Sequence, residues 1–359
     1  MLLYSCQQKN EIHSNYSKLY VSSVNNLSTQ KPFHEVLIQK KDTLLRYDFW
    51  KNEKSFATAS FENNKIKDSI SFNNGDQLVV GKNFTVFENF YLCQDLSKQI
   101  FTYSKTKSGQ KLNSKDFIKQ LEGKFFETKI SNNKTPNSVL DIKETIEITK
   151  DSLTYYWDYF YENQLLYKES ETVNLNFFEV EGQLFLVPST QKNPYPILQV
   201  YKISNEELEL RYFNDFEMKS KIYTQNKKFK TIDYSNYSLC LDYFQKIYYV
   251  GEQVRYKKGL DNLLSSFQKS APSSENEGFI NIHFTINCKG KVGRLGLELL
   301  DRNYQSTRFE PELIKHIVDK TLAITEWKNY DKDPYFGSKD VKKFFFIKID
   351  NQKITDVCP

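Results

Sequence analysis

Glycine and proline are scarce in this chain, at 12 and 9 of 359 residues. That excludes collagen-like repeats and proline-rich spacers, and it leaves little punctuation between elements. Histidine is rarer still: His13, His34, His283 and His316 stand far apart, without the HxxxH or CxxC spacing of a zinc box. A P-loop, a nucleophile elbow and a dinucleotide fingerprint are all missing. GKVGRLG, residues 290–296, has the glycines but not the Gly-Lys-Ser/Thr end, and turn chemistry accounts for it. No window reaches the roughly 18 apolar residues of a spanning helix. Nor does one charge dominate: 50 Lys plus Arg stand against 45 Asp plus Glu, spread along the chain, so there is no basic stripe for nucleic acid. No catalytic residue, metal ligand or cofactor site is expected, which leaves binding and structural roles.

What the chain has in quantity is aromatic residues, 28 Phe and 24 Tyr, most of them in alternating runs that favour strands. The length allows two or three domains. HEVLIQ, TLLRYDFW, SFATASFE and DSISF, between 34 and 72, read as short strands, with NNGD at 73–76 as a hairpin turn. The polar run 104–116 marks a boundary. FIKQLEGKFFETKI, 117–130, is a helical turn passing through Gly123 into a strand. Alternating segments then follow to residue 224, about eight short strands, enough to close a small antiparallel barrel. Tyr155, Trp157 and Tyr159 share one strand face, with Tyr156 and Phe160 on the other. The first three are candidates to line a ligand pocket; core packing is the alternative.

Near the C-terminus, FINIHFTIN places Ile280, Ile282, Phe284 and Ile286 on one face and Asn281, His283, Thr285 and Asn287 on the other. After CKGK, 288–291, Leu295, Leu297 and Leu299 continue the apolar face, opposed by Arg294 and Glu298. A hairpin with one apolar side needs a cover. FEPELIKHIVDKTLAITEW, 309–327, supplies a helix, with Pro311 in its first turn and Leu313, Ile317, Thr321 and Ile324 along one stripe. VKKFFFIKID, 341–350, is a further strand. The expected fold is therefore mainly β with a C-terminal α+β domain: a tether over 1–32, a β-rich domain over 33–105, a barrel over 116–225 and a β-β-α-β sheet with its lead-in helix over 236–359.

Two families are resembled. Leu121, Gly123, Lys124 and Phe125 opening the first barrel strand, and the polar-aromatic meander after them, resemble the lipocalin-like domains of bacterial envelope proteins over about a third of the chain. Phe125 or Phe126 stands where such barrels often carry tryptophan. The resemblance implies a carrier of a small apolar ligand. The hairpin around Gly290-Lys291-Val292, the helix ending near Trp327-Lys328 and the Phe-rich strand after it resemble the C-terminal domain of TonB, in particular its lipoprotein branch, and 240–267 resembles the lead-in helix of that branch. The family's proline soon after the tryptophan is absent. That family adds its sheet to an extended partner peptide, which implies an open edge along Val341, Lys343, Phe345 and Ile347 unless residues 353–358 already cover it. With neither an inner-membrane helix nor a proline-rich span, a docking module is expected rather than an energy transducer. MLLYSC resembles the end of a bacterial lipoprotein signal, with Cys6 as the lipidated residue, Tyr4 bulkier than usual and only five residues ahead of the cysteine. Cys240 and Cys288 fall in one expected unit and are the first candidates for a disulfide, free thiols being the alternative. Together these imply a non-enzymatic outer-membrane lipoprotein facing the periplasm or the cell surface. Its partners would be envelope proteins, those of the outer membrane included; it would bind no nucleic acid and touch the membrane by its lipid alone.

Overall fold

The computed structural model describes residues 18–22, 35–40, 43–49, 53–58, 61–62, 65–66, 69–71, 73, 77–79, 90–95, 100–107, 109–129, 138–188, 196–214, 217–239, 255–328 and 340–358. The chain divides into two compact units, one of 1–29, 33–108 and 212–219, the other of 30–32, 109–211 and 220–359. The fold is mainly β, as the alternating aromatic runs imply.

The first unit contains β1 (Lys18–Ser22), β2 (Glu35–Lys40), β3 (Thr43–Asp48), β4 (Glu53–Thr58), β5 (Phe61–Glu62), β6 (Lys65–Ile66), β7 (Ser69–Ser71), β8 (Gln77–Val79), β9 (Phe90–Asp95) and β10 (Ile100–Thr106). Eight of these form one antiparallel sheet in the order β4-β3-β2-β1-β10-β9-β8-β7. Val36, Leu37, Ile38 and Leu44 are buried in it. β7 and β8 pair antiparallel with Ser71 opposite Gln77, and residues 74–76 of the expected NNGD turn lie outside the described residues. Residues 1–32 are not a tether throughout: Lys18–Ser22 pairs with both β2 and β10. KLYVS is a strand-forming pentad whose polar surroundings hid it.

The second unit begins with α1 (Ser114–Leu121). Its N-cap Asn113 accepts the Asp116 N–H at 2.8 Å, and Phe117 and Leu121 are buried. The strands that follow are β11 (Phe125–Glu127), β12 (Asp141–Ile148), β13 (Ser152–Tyr161), β14 (Gln164–Val180), β15 (Gln183–Pro188), β16 (Leu198–Ile203), β17 (Glu207–Asn214), β18 (Glu217–Gln225) and β19 (Ser235–Asn236). Their order is β13-β12-β11-β18-β17-β16-β15-β14, and β13 also pairs with β14, so eight strands close into a barrel. Two hairpins are closed by two-residue loops, Glu162-Asn163 and Glu181-Gly182, with both residues of each loop at positive φ. That backbone matches the strand twist. Phe117 of α1 packs on Phe177, their ring centroids 6.2 Å apart. β19 then adds in parallel beside Glu169 and Ser170 of β14.

The chain continues through β20 (Arg255–Tyr256), α2 (Leu260–Gln268), β21 (Gly278–Ile286), β22 (Val292–Asp301), α3 (Pro311–Leu322), β23 (Trp327–Lys328), β24 (Val341–Asp350) and β25 (Lys353–Cys358). The main sheet runs β22-β21-β24-β25, and all its pairings are antiparallel. Pro311 takes the first helical turn of α3, and Leu313, Ile317 and Thr321 are buried as the stripe requires. Phe267 of α2 meets Phe345, and Phe345 meets Phe284 at 4.9 Å between centroids.

The expected partner edge is covered over half its length, by residues 353–358. Val341, Lys343, Phe345 and Ile347 lie on β24, which pairs with β21 along its length; on its other side β25 covers the half from Phe346 to Asp350, so that of the four Ile347 is the one with a β25 partner. Their side chains are buried. Ile347 pairs with Val357, and the ladder between β24 and β25 runs from Asp350 opposite Lys353 to Phe346 opposite Cys358. The tail folds back through Asn351-Gln352, both at positive φ. Glutamine rarely adopts that conformation, so the turn carried no recognisable signal.

Candidate functional site

The inner face of the barrel is where unusual chemistry collects. Strand pairing carries one face from residue to residue: Glu144 lies opposite Trp157, and Trp157 opposite Glu169; Ile146 lies opposite Tyr155, and Tyr155 opposite Glu171. Tyr159 lies opposite Tyr167. Tyr155, Trp157 and Tyr159 thus share one face, as the spacing implied, and all three are buried. Tyr155 and Trp157 stack with centroids 5.4 Å apart, Tyr159 and Tyr167 at 4.1 Å. Tyr156 points the other way, packing edge-on against Phe229 and Tyr234 and bonding to Glu147.

Three carboxylates sit among these rings, and Glu144, Glu169 and Glu171 are 9%, 2% and 1% exposed. Burial at this level demands partners. Glu144 accepts from Trp157 Nε1 at 2.9 Å, from Tyr223 OH at 2.6 Å and from Lys221 Nζ at 2.9 Å. Burial alone would raise its pKa, but the Lys221 ammonium and the hydrogen bonds from Tyr223, Lys221 and Trp157 outweigh it and hold the carboxyl below its ordinary value.

Glu169 and Glu171 meet a residue from outside the barrel. Arg294 of β22 lays its guanidinium over the Trp157 ring, 4.4 Å from the centroid. Its Nε lies 3.3 Å from Glu169 Oε1 and its Nη2 bonds Glu171 Oε2. The Arg294 main-chain N–H donates to Glu169 Oε2 at 3.0 Å, and the next N–H, of Leu295, donates to Tyr167 OH at 3.1 Å. Burial pushes the Glu169 carboxyl up, an effect that Arg294 only partly offsets.

A bulge aims Arg294. The β21–β22 register shifts between His283, opposite Gly296, and Thr285, opposite Gly293, and Arg294 takes φ 55°. Such a bulge turns one side chain out of its strand's alternation. Gly293 beside it is required for space: a Cβ there would come within 2.6 Å of the Tyr237 ring, whose OH donates to Thr285 O at 3.1 Å. Further contacts seal the joint. Val139 N–H donates to Leu297 O at 2.9 Å, and Tyr161 OH both donates to Phe309 O and accepts from Phe309 N–H, at 3.1 and 3.2 Å.

No family model and no curated protein matches this chain. The site is therefore read from its own geometry.

Arg294 was expected only as a polar residue opposing an apolar face, and Glu144, Glu169, Glu171 and Lys221 were not singled out. A signal existed. In YKESETVNLNF, Glu169 and Glu171 fall in register with Tyr167, Val173 and Leu175, on the apolar side of the alternation; in KETIEI, Glu144 falls in register with Ile146 and Ile148. Cys288 is disulfide-bonded and Cys358 is a free, exposed thiol, whereas Cys6 and Cys240 lie outside the described residues. Among the described residues no group of three or more His, Cys, Asp or Glu is placed to hold a metal. None of their helices is long and apolar enough to cross a membrane.

Proposed function

We propose that this protein is a non-enzymatic envelope lipoprotein that docks a protein partner through its C-terminal sheet, the barrel acting as a rigid seat for that sheet. The observation that carries this reading is Arg294. The inner aromatic face that a carrier would offer to an apolar ligand is covered by the chain's own guanidinium, paired with two buried carboxylates. A depression of about 500 Å³ lies elsewhere, beside α1, and is lined by Leu112 among the charged and amide side chains Lys111, Asn113, Asp116, Lys119 and Glu179. Barrel and sheet are thus held together by bonds of the kind that fix orientation.

Partner capture belongs where β25 stops. Its ladder with β24 ends at Cys358 opposite Phe346. An extended peptide continuing the line of β25 would run alongside β24 near Lys342 and Phe344. A photo-crosslinking amino acid at Lys342, which is exposed, is expected to trap a discrete envelope protein, and the same group at exposed Asp319 on α3 is not. Phe344→Pro, folded by circular dichroism, is expected to lose the adduct. Equal trapping at both positions would remove the docking reading. Anchoring is tested separately, on the full-length gene product: it is expected to partition into membranes and its Cys6→Ala form is not.

A further inference from the structure

We propose that the inner face of the barrel is a guanidinium-binding site, filled in cis by Arg294, and that its ligand class is the planar guanidinium cation rather than an apolar molecule. The barrel itself supplies the parts that such a cation needs. Trp157 gives the ring face under the ion at 4.4 Å, and Glu169 and Glu171 give carboxylates at its edge. Tyr155, stacked on Trp157, extends the aromatic floor. All four residues lie on β13 and β14, so the site belongs to the barrel, and only its occupant comes from the C-terminal sheet.

A second observation points to a ligand better aligned than the resident one. Glu169 Oε1 is buried and accepts no hydrogen bond, although Arg294 Nε lies 3.3 Å away. Ion pairing is satisfied there and hydrogen-bond geometry is not. Arg294 is tied by its main chain at a bulge, with its own N–H held by Glu169 Oε2, which limits how its side chain can turn. A free guanidinium has no such tether and can present two parallel N–H groups to one carboxylate. An ammonium, a compact and strongly hydrated point charge, cannot reproduce the planar fork or the ring stacking.

The test uses the full chain with Arg294→Gly. Glycine accepts φ 55° without strain, so the bulge is kept and only the side chain is lost. Agmatine is the guanidinium probe and 1,4-diaminobutane the ammonium control, read by calorimetry and by tryptophan fluorescence. Agmatine is expected to bind the variant saturably, at least about tenfold more tightly than diaminobutane, with Glu171→Gln in the same background removing the binding. Wild type, its site already filled, is expected to show no saturable binding at concentrations that saturate the variant. Should Arg294→Gly fail to fold, agmatine is expected to restore its native circular dichroism and diaminobutane is not. Equal response to the two cations, equal binding by wild type, binding that survives Glu171→Gln, or neither binding nor rescue would each overturn the assignment.

Discussion

At the scale of single residues, the barrel's carboxylates behave oppositely although they share one face. Glu144 is held below the ordinary carboxyl value of 4.5, so the stability it contributes is present above that pH and is lost as pH falls through its lower folded value. Glu169 is held above 4.5, so its contribution is fully present below 4.5 and is lost as pH rises through its higher folded value. Denaturant unfolding of Glu144→Gln across pH 3 to 7 is expected to show less acid-induced loss than wild type. Glu169→Gln is expected to remove a loss that wild type suffers above pH 4.5. Lys221 is the main compensating charge, and its side chain is about one-third exposed. Lys221→Met should therefore destabilise by about 2 kcal/mol, less than a fully buried pair would lose. An unchanged denaturation midpoint at pH 7 would show that Tyr223 and Trp157 suffice to hold Glu144.

At the scale of elements, the bulged β22 decides how the sheet meets the barrel. Gly293→Ala puts a methyl 2.6 Å from the Tyr237 ring, and overpacking of this kind costs about 1–3 kcal/mol. A lowered Tm is expected, with most of the loss absent when Gly293→Ala is made on a Tyr237→Ala background; additive losses would mean that the ring is not the obstacle. Elements with a clean period were readable from sequence. The 279–300 hairpin, the Pro311 helix and the closed meander all follow from alternation or from a stripe. What escaped reading broke its period. KITDVC carries a register shift opposite Lys348 and Ile349 and is entered through Gln352 at positive φ, so alternation alone does not mark β25 as a strand. Arg294 escaped for the same reason, and because its carboxylates lie more than 120 residues away, beyond any local pattern.

At the scale of the whole molecule, one covalent link remains to be assigned. Cys288 is in a disulfide, and its neighbour Asn287 donates a side-chain hydrogen bond to Ser238 O at 3.0 Å. Lys291 Nζ reaches Asn236 O at 2.5 Å, so the chain just before Cys240 is docked on the 287–291 turn. Cys240 follows Ser238 by two residues in the sequence, which makes it the first candidate partner of Cys288. Non-reducing peptide mapping is expected to join Cys240 to Cys288, and a Cys93–Cys288 peptide would rule that out. Closing a loop of this length stabilises by about 4 kcal/mol in the chain-entropy model, so a reductant should lower Tm clearly. The plug has a further consequence in the order of synthesis. β13 and β14 leave the ribosome over a hundred residues before Arg294 does, so for many seconds Glu169 and Glu171 stand in the nascent barrel without the guanidinium that pairs with them. Chains arrested before residue 278 should therefore be the ones that proteases and chaperones find first, and limited proteolysis of such a truncation against the complete chain would reveal the difference.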